Sequence, residues 1–285
     1  MQFNTPLRYP GGKGRLSQFV ADVIDANGLV GGHYAEPYAG GAGIAISLLF
    51  LEYVSCIHIN DMNKSVYAFW HSVLNKPNQL CGLISGTRAS MAEWHRQRAI
   101  QDDPSANLLE LGFSTFFLNR TNRSGIIRGG VIGGKGQTGK WKLDARYNKK
   151  NLIDRIEKIA DQKSRIQLYN NDAEDFVQEI LPSLPRKTLV YLDPPYYVKG
   201  KGLYEDHYNH EDHEDIADLV TALPQRWIVS YDNVPQIKKM YAGYRQRTFG
   251  LHYSAHNRYS GSEVMIFCDA LHIPGKIEPS RAEAA

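Results

Sequence analysis

The stretch Glu36-Pro37-Tyr38-Ala39-Gly40-Gly41-Ala42-Gly43 decides the fold, because it joins a short apolar strand to a helix that the sequence predicts over 44–51. A second strand, predicted over 54–60, follows this helix and ends at Asp61. This order of elements is typical of half of a doubly wound nucleotide-binding sheet: a strand, a glycine-rich turn, a helix, a second strand and an acid. Glycines also let the backbone approach a ligand closely, since they carry no Cβ.

The glycine-rich turn alone is a weak indication of function, because such turns also serve the plain packing of a helix on a strand. Asp61 strengthens it, since an acid about 20 residues after the turn is placed to accept a hydrogen bond from a ribose hydroxyl. A nucleotide such as NAD would use the same arrangement, but the spacing here is not G-x-G-x-x-G. These residues therefore predict a nucleoside-containing cofactor without choosing it.

The rest of the chain alternates between strands and helices, with a helical middle third. Strands are predicted over 166–169, 188–192, 227–230 and 263–268, and helices over 151–159, 173–181 and 211–223. Helical periodicity runs over 65–112, and an irregular segment with seven glycines follows over 119–141. We therefore predict an α/β fold with a Rossmann-like sheet over 1–64 and 146–272, a mainly helical insertion over 65–145 and a disordered tail over 273–285.

The tetrapeptide Asp193-Pro194-Pro195-Tyr196 directly follows the apolar strand predicted over 188–192. This context places it at the carboxyl end of a buried parallel strand, where open α/β sheets bind ligands. Prolines lack an N–H and have a fixed φ, so the turn presents carbonyl acceptors in one orientation. The Asp193 carboxylate and the Pro194 carbonyl can accept both hydrogens of an exocyclic amino group while the Tyr196 ring stacks on the base that carries it.

An amino group held in this way is suited to methylation. The N6 lone pair of adenine, or the N4 lone pair of cytosine, is a poor nucleophile, and hydrogen bonds to a carboxylate and a carbonyl stabilise the positive charge that grows on it. A hydride-transfer enzyme has no use for such a clamp. Methylation at C5 of cytosine needs a thiolate, usually in a Pro-Cys pair, and none of the three cysteines follows a proline.

Charge is distributed unevenly along the chain. The formal net charge is only +3, yet the segments 1–21, 111–143 and 233–262 contain no Asp or Glu. These segments do contain Lys and Arg, and tracts with basic but no acidic residues indicate a polyanionic partner. In the irregular part of the insertion, flexible glycines with arginine and asparagine can follow a phosphate backbone and reach base edges; a solvated mobile loop is the alternative. The candidate DNA-binding side chains there are Arg120, Asn122, Arg123 and Arg128.

The order of these motifs resembles the DNA adenine-N6 methyltransferase family of the Dam type. The matching elements are Pro10-Gly11-Gly12-Lys13, Glu36-Pro37-Tyr38-x-Gly40, Asp61, the basic insertion and Asp193-Pro194-Pro195-Tyr196, and the resemblance extends from Thr5 to Phe267. It implies S-adenosylmethionine as the methyl donor, a Rossmann-like methyltransferase sheet and an inserted target-recognition domain that binds double-stranded DNA. One departure is Ala42, which stands where the family often has a third glycine.

The resemblance also implies roles for individual residues. The cofactor-pocket positions are Tyr9, Lys13, Glu36, Tyr38, Gly40, Asp61, Asp172 and Asp193. The catalytic positions are Asp193, Pro194, Pro195 and Tyr196, and Arg8 falls at a position implicated in contacting the target site. Two of these have structural alternatives, since Asp172 can simply cap a helix and Arg8 can be an ordinary surface arginine.

We therefore predict a site-specific methyltransferase that flips adenine out of duplex DNA and transfers the methyl group directly and in line to N6. The alternatives are an N4-cytosine or RNA adenine amino-methyltransferase, and a DNA-binding regulator with a vestigial methyltransferase domain. Recognition of GATC and a role in restriction–modification follow from the resemblance alone. The loop from Lys199 to Tyr208, which leaves the predicted catalytic strand, is interpreted as a lid over the flipped base.

No metal is expected from the sequence. His207, His210 and His213 have a spacing that fits one helix face, but Asn209 followed by acids is better explained as a helix start. The three cysteines form no Cys-x-x-Cys pair, and Cys56 and Cys268, which lie in apolar strand-like runs, are interpreted as buried reduced thiols. The amino terminus does not resemble a signal peptide and no apolar stretch is long enough to span a bilayer, so a cytoplasmic protein is predicted.

Overall fold

The computed structural model describes residues 4–8, 13–198, 208–252 and 260–277. Within them, seven strands form one sheet in the order β3-β2-β1-β4-β5-β7-β6. β1 is parallel to β2 and β4, and β4 is parallel to β5, whereas β7 is antiparallel to β5 and β6. The predicted α/β fold class with a mostly parallel, Rossmann-like sheet is confirmed. The strands are β1 (Gly32–Glu36), β2 (Val54–Asn60), β3 (Ile166–Tyr169), β4 (Thr188–Leu192), β5 (Arg226–Asp232), β6 (Arg245–His252) and β7 (Ser260–Phe267).

Ten α-helices lie in the described residues, and they alternate with the strands up to β6, except for a run of five helices in the middle of the chain. No helix in this part of the chain is both long and apolar enough to cross a membrane. The helices are α1 (Ser17–Ala26), α2 (Gly43–Phe50), α3 (Lys64–Asn75), α4 (Pro77–Gly86), α5 (Met91–Gln101), α6 (Leu108–Thr121), α7 (Lys149–Ala160), α8 (Ala173–Asp175), α9 (His210–Thr221) and α10 (Pro235–Met240).

The chain divides into two compact units. The first contains Met1–Phe3, Lys13–Asn60 and Asn171–Ala285, and the second contains Asn4–Gly12 and Asp61–Asn170. The units therefore change near residues 60 and 170, whereas the sequence prediction places its boundaries at 64 and 146. That functional division stays a prediction.

In the first unit, the centre of the sheet is apolar because it is covered on both faces. Every residue of β4 is buried, and β4 lies between β1 and β5. A parallel strand in this position reads as a continuous run of apolar and β-branched residues, as Thr188–Leu192 does. Its bounds agree with the predicted strand over 188–192.

Two elements differ from the sequence prediction. β6 was not predicted, because Arg245-Gln246-Arg247-Thr248 has no apolar run, but an edge strand tolerates charged side chains. The helix predicted over 173–181 is instead a short α-turn, a π-helical turn Phe176–Ile180 and a 3-10 turn Leu181–Ser183. Pro182 has no N–H to donate, which explains why a regular α-helix does not continue through it.

The second unit has a helical core in which α3 packs on α6. The rings of Phe69 and Phe116 stack there with centroids 6.1 Å apart. A Cβ at Gly112 would lie 2.5 Å from the Ala68 carbonyl oxygen, so only glycine permits this close approach of the two helices. Asn107 begins α6 with a capping box. The Asn107 side chain accepts from the backbone N–H of Glu110, and the Glu110 side chain accepts from the backbone N–H of Asn107.

Candidate active site

Two turns of the first unit lie at the same edge of the sheet, because they follow neighbouring parallel strands. β1 pairs in parallel with β4, with Tyr34 opposite Leu189. The glycine-rich loop over 37–43 leaves the end of β1, and the tetrapeptide over 193–196 leaves the end of β4. The structure thus brings together the two motifs on which the sequence prediction depends most.

The glycine-rich loop contains two residues with left-handed backbone. Gly40 and Ala42 both have a φ of +46°, and the Ala42 N–H donates to the Ala39 carbonyl at 2.6 Å. This conformation suits glycine but costs an alanine about 1–2 kcal/mol. Ala42, at the position where the family often has glycine, therefore stores strain directly before α2 begins. Strain of this kind is typical of turns that bind ligands.

Asn60, the last residue of β2, fixes the same loop from the side. Its amide donates to the carbonyl of Pro37 at 3.0 Å and to that of Asn171 at 3.1 Å, and its side-chain oxygen accepts from the Asn171 N–H at 2.9 Å. The Asn60 carbonyl also accepts from the Ala39 N–H at 2.8 Å. This side chain is fully buried, so it holds the loop and the segment after β3 in one geometry.

Glu36 is a buried acid at the start of this loop. Its Oε1 accepts from the Tyr34 hydroxyl at 3.0 Å and from the Ala45 N–H at 3.3 Å. Burial raises the pKa of Glu36 to about 8; the two hydrogen bonds oppose this shift, and the nearby charge of Asp193 adds to it. Glu36 is therefore mostly protonated at neutral pH.

Lys13 joins the tetrapeptide to another buried acid, Glu263. Its Nζ lies 2.9 Å from Asp193 Oδ1 and 3.0 Å from Oδ2, 2.8 Å from the Tyr196 hydroxyl and 3.4 Å from Glu263 Oε2. The Tyr196 hydroxyl in turn donates to Glu263 Oε1. Lys13, Tyr196 and Glu263 are buried, whereas the Asp193 side chain is 21% exposed. The carboxylate of Asp193 is thus the accessible end of a buried polar cluster.

The charges of this cluster depend on one another. Burial by itself would lower the pKa of Lys13, but Asp193, Tyr196 and Glu263 raise it well above its ordinary value, so the lysine stays charged. Burial raises the pKa of Glu263, while Lys13 acts in the opposite direction. A buried charge needs partners of this kind to be tolerated, and Lys13 supplies the positive charge for both acids.

Residues of β5 complete the support of the tetrapeptide. The Ser230 hydroxyl donates to Asp193 Oδ1 at 2.7 Å. The carboxylate of Asp232 accepts from the backbone N–H of Tyr197 at 2.9 Å and of Val198 at 3.0 Å, which fixes the chain as it leaves the tetrapeptide. Ser230 and Asp232 are therefore positioning residues for Asp193 and Tyr196.

Aromatic side chains and a buried histidine lie close to the loop residue Tyr38. The hydroxyls of Tyr38 and Tyr208 are 2.9 Å apart, and the Tyr208 ring contacts His213 edge-on. His213 Nδ1 lies 3.1 Å from the Tyr231 hydroxyl, and burial lowers the pKa of His213 to about 4. Within the described residues His213 thus packs among tyrosines. The predicted lid spans 199–208, and all of it except Tyr208, His207 included, lies outside the described residues.

Asp172 and Asp61 follow strands, as predicted, and both make local hydrogen bonds. Asp172 begins α8, where its Oδ1 accepts from the Glu174 N–H at 2.8 Å, so the structural alternative of a helix cap applies. Asp61 directly follows β2, and its Oδ1 accepts from the Asn63 N–H at 3.0 Å. Neither contact uses all the acceptor positions of a carboxylate, and the cofactor roles of both residues stay predictions.

Comparison with known families decides the identity. The family described as D12 class N6 adenine-specific DNA methyltransferase matches residues 9–259, which is most of the chain. The chain belongs to this family. The resemblance identified in the sequence and the assignment as an enzyme are thereby confirmed, and methyl transfer is the activity of the family.

Solved structures resemble this D12 class chain only distantly. No curated protein matches it. The structural likenesses are weak, with TM-scores below 0.5. A conserved hypothetical protein of Streptococcus pyogenes is 12% identical, with 85% of this chain and 89% of that chain covered and a TM-score of 0.37. The Escherichia coli protein yhhF, described as a candidate methyltransferase, is 9% identical, with 90% of this chain and 87% of that chain covered and a TM-score of 0.38. The methyltransferase domain of bacterial CtHen1 is 12% identical, with 90% of this chain and 97% of that chain covered and a TM-score of 0.39.

The sequence prediction missed several residues that contact the tetrapeptide or the glycine-rich loop, namely Ser230, Asp232, Glu263 and the positioning residue Asn60. Asn60, Ser230 and Glu263 are polar residues at the ends of predicted strands, and Asp232 lies two residues beyond one; polar residues at strand ends are a general indication of a site in a parallel sheet. Nothing in their spacing pairs them with Asp193 or with the loop. Glu263 is the clearest case, since a buried acid within an apolar strand requires a buried partner.

The second unit requires a revision of two candidate DNA-binding residues. Arg120 is buried, and its Nε donates to the Pro6 carbonyl at 2.7 Å. Asn122 is fully buried, accepts from Trp94 Nε1 at 2.7 Å and donates to the carbonyls of Ile126 and Ile127. Both side chains hold the interior of the unit and are therefore not placed to contact DNA.

The other candidates of the second unit remain accessible. Arg123 and Arg128 are exposed, and Arg128 forms an ion pair of 2.7 Å with exposed Asp102. Arg8 is half-buried, and its backbone is fixed by two hydrogen bonds to the Asn119 side chain. Tyr9 lies outside the described residues.

Proposed function

We propose that the protein is a site-specific DNA methyltransferase that transfers the methyl group of S-adenosylmethionine to N6 of adenine in duplex DNA. One observation carries this proposal: the Asp193 carboxylate stands at the carboxyl end of β4, partly accessible, and is held by Lys13 and Ser230. A carboxylate fixed in this way is an acceptor prepared in advance for an amino group.

The Asp193 carboxylate retains capacity for the target amino group. Oδ1 already accepts from Lys13 and Ser230, whereas Oδ2 accepts from Lys13 alone among the contacts described here. A carboxylate offers about four acceptor positions, so Oδ2 can accept one N–H of the adenine amino group while the Pro194 carbonyl accepts the other. These bonds strengthen as positive charge grows on N6 and so favour the transition state over the bound base.

Adenine must leave the duplex to reach this position, and we assign Tyr196 to the flipped base. Its hydroxyl is tethered by Lys13 and Glu263, which fixes the orientation of the ring. The residue is only 4% exposed, so stacking requires the ring to become accessible when the base enters. Direct in-line transfer then needs no covalent enzyme intermediate.

The glycine-rich loop fits S-adenosylmethionine. When bound, this cofactor supplies an electrophilic methyl group on a positively charged sulfur. A buried acid such as Glu36, with a pKa raised to about 8 by burial, is a site that a cationic ligand would ionise, and the strained turn at Gly40 and Ala42 permits close backbone approach. We assign the loop residues to its binding together with the remaining family positions, namely Tyr9, Lys13, Tyr38, Asp61, Asp172 and Asp193.

We further propose that the partner is double-stranded DNA in the cytoplasm, a proposal that the family supports, and we assign its phosphates to exposed cations of the second unit. Arg123 and Arg128 lie in the acid-free segment 111–143 and point to solvent-accessible surface. Arg8 belongs to the same unit and is half-buried. Long-range attraction of a polyanion needs exposed charge of this kind.

The test is expression in a host that lacks adenine methylation, followed by sequencing of its DNA with detection of modified bases. We expect N6-methyladenine at one sequence motif. Asp193→Asn keeps the shape and one acceptor oxygen, so it should reduce methylation by several orders of magnitude but weaken S-adenosylmethionine binding far less, as measured by calorimetry. The matched control Asp22→Asn, at an exposed residue of α1, should change neither.

Other outcomes decide between the alternatives. Methylation of cytosine N4 would keep the proposed role of the amino-group clamp and would make cytosine, not adenine, the target base. Methylation of RNA and not of DNA would make RNA the substrate in place of double-stranded DNA. A fully folded protein that binds DNA and transfers no methyl group would favour the regulator, and near-normal turnover in Asp193→Asn would remove the assignment of the clamp.

A further inference from the structure

A cluster of metal-ligating side chains lies on β1 and β2, outside the site described above. His33, Cys56 and His58 each offer one ligand atom, and these three atoms lie within 4.8 Å of one another. His33 Nδ1 is 3.0 Å from His58 Nε2, and Cys56 Sγ is 3.8 Å from the same nitrogen. His58 is buried, and the other two side chains are half-buried.

The register of the two strands brings this cluster together. Cys56 and His58 are two residues apart in β2, so their side chains lie on the same face. A register shift between Gly32 and His33 skips Ser55, which places His33 opposite Cys56 rather than opposite Ser55. Irregularities of this kind redirect side chains and are uncommon in parallel pairs.

The distances suit a tetrahedral cation of borderline softness. Zn²⁺ bonds of about 2.0–2.1 Å to nitrogen and about 2.3 Å to sulfur put neighbouring ligand atoms roughly 3.3–3.6 Å apart in a tetrahedron. The observed separations of 3.0 and 3.8 Å lie on either side of this range. Two imidazoles and a thiolate form a soft donor set that favours zinc over magnesium or calcium.

We propose that His33, Cys56 and His58 bind one Zn²⁺ ion, with the fourth position taken by water. The half-exposed His33 and Cys56 admit solvent to that position. Binding forms a zinc–sulfur bond and releases the Cys56 thiol proton to the buffer. The proposal concerns a different function from methyl transfer, and it revises the expectation from sequence that the protein holds no metal.

The position of this ion, at the beginning of β1 and away from the carboxyl ends of the strands, suits a stabilising role. His33 lies three residues before Glu36 in β1, so the cluster is about 10 Å from the end of the strand that leads into the glycine-rich loop. Zinc would cross-link the beginning of β1 to β2 and leave the carboxyl ends of the strands to the active site. Any cation that binds the folded protein and not the unfolded chain raises its stability.

The experiment uses the full-length, untagged protein, freed of metal under reducing conditions. Titration with Co²⁺ should give a thiolate charge-transfer band that saturates at one equivalent, and Zn²⁺ should abolish it and raise the melting temperature. Zn²⁺ should also protect Cys56 from alkylation, as read by mass spectrometry, while the labelling of Cys81 and Cys268, both buried, stays unchanged and provides an internal control.

Variants separate the site from adventitious binding. Cys56→Ser should lose the charge-transfer band and the stabilisation by zinc, whereas His95→Ala, at an exposed histidine of α5, should keep both. The alkylation result needs no variant, so a Cys56→Ser protein that fails to fold leaves the test intact. Unchanged labelling of Cys56 with zinc, or a cobalt spectrum without thiolate character, would overturn the proposal and leave a hydrogen-bonded cluster.

Discussion

Glu36 makes the stability of the protein depend on pH in a defined direction. Its pKa is raised from 4.5 to about 8 by burial, so the folded protein binds a proton that the unfolded chain has already lost between these values. The stabilising effect of the proton is complete below about 4.5 and is lost as the pH rises through about 8. Glu36→Gln should remove this fall in the free energy of unfolding, as measured by denaturant titration across that range. A variant with the same pH profile as the natural protein would contradict it.

The same carboxyl links cofactor binding to proton release. A cationic ligand near Glu36 lowers its pKa, because it favours the charged form. Binding of S-adenosylmethionine at pH 7 should therefore release close to one proton from the natural protein and none from Glu36→Gln. Calorimetry in buffers of different ionisation enthalpy measures this number directly. Equal proton release in both proteins would place the cationic part of the cofactor away from Glu36.

Side-chain partners such as Glu263 explain why the site could be predicted only in part. Asp193 and Tyr196 are recognisable because their tetrapeptide is local in sequence. The contacts of Lys13 with Glu263 and of Asp193 with Ser230 depend on strand order and register, which no local pattern contains. The burial of Arg120 was missed for the same reason, since its partner Pro6 lies in the amino-terminal segment.

Among the elements, those buried on both faces follow the sequence most closely. β4 agrees with its prediction because a central parallel strand must be apolar throughout. β6 was missed because its hydrogen bonds to β7 maintain an edge strand whose sequence is largely polar. The predicted helix after Asp172 is divided into short turns, because the π-helical turn and Pro182 interrupt the regular hydrogen bonds of an α-helix.

The glycine-rich loop depends on β2 through one side chain, and this gives a prediction at the level of the element. Asn60→Ala removes hydrogen bonds to Pro37 and Asn171 and should lower the free energy of unfolding by about 1–3 kcal/mol. It should also weaken S-adenosylmethionine binding, because the loop loses its fixed geometry. Asn75→Ala, at an exposed asparagine of α3, is the matched control. Calorimetry that finds unchanged cofactor affinity in Asn60→Ala would show that the loop is held by other contacts.

Over the whole molecule, the distribution of charge matters more than its sum. The net charge of +3 is modest, and many basic side chains of the acid-free tracts have structural partners. Arg245 donates to the carbonyls of Cys268 and Asp269, and Arg247 donates to that of Gly275. In the tract 233–262 these hydrogen bonds engage the guanidinium groups of Arg245, which is exposed, and of Arg247, which is half-buried. Arg123 and Arg128 of the second unit are exposed, and Arg128 is paired with Asp102.

This distribution predicts which cations govern DNA affinity. Each phosphate contact contributes about 0.9 to the slope of log affinity against log salt, so Arg123→Gln with Arg128→Gln should lower the slope by about 1.8 if both residues bind phosphate. Loss of a base contact would instead cost about 1–3 kcal/mol at one base pair only. Binding of a cognate and a mismatched duplex, measured over a range of salt concentrations, separates these two roles.

The control for this experiment removes the same charge elsewhere. Lys238→Gln with Lys239→Gln, on α10 of the first unit, lowers the net charge by the same amount as the paired arginine substitutions. If attraction by net charge alone governed binding, both double variants would weaken it equally. A local role of the arginines requires the slope to change only in their own variant, because screening confines each charge to about 10 Å at ordinary salt. A larger effect of the lysine pair would make the tract 233–262 the DNA-binding element.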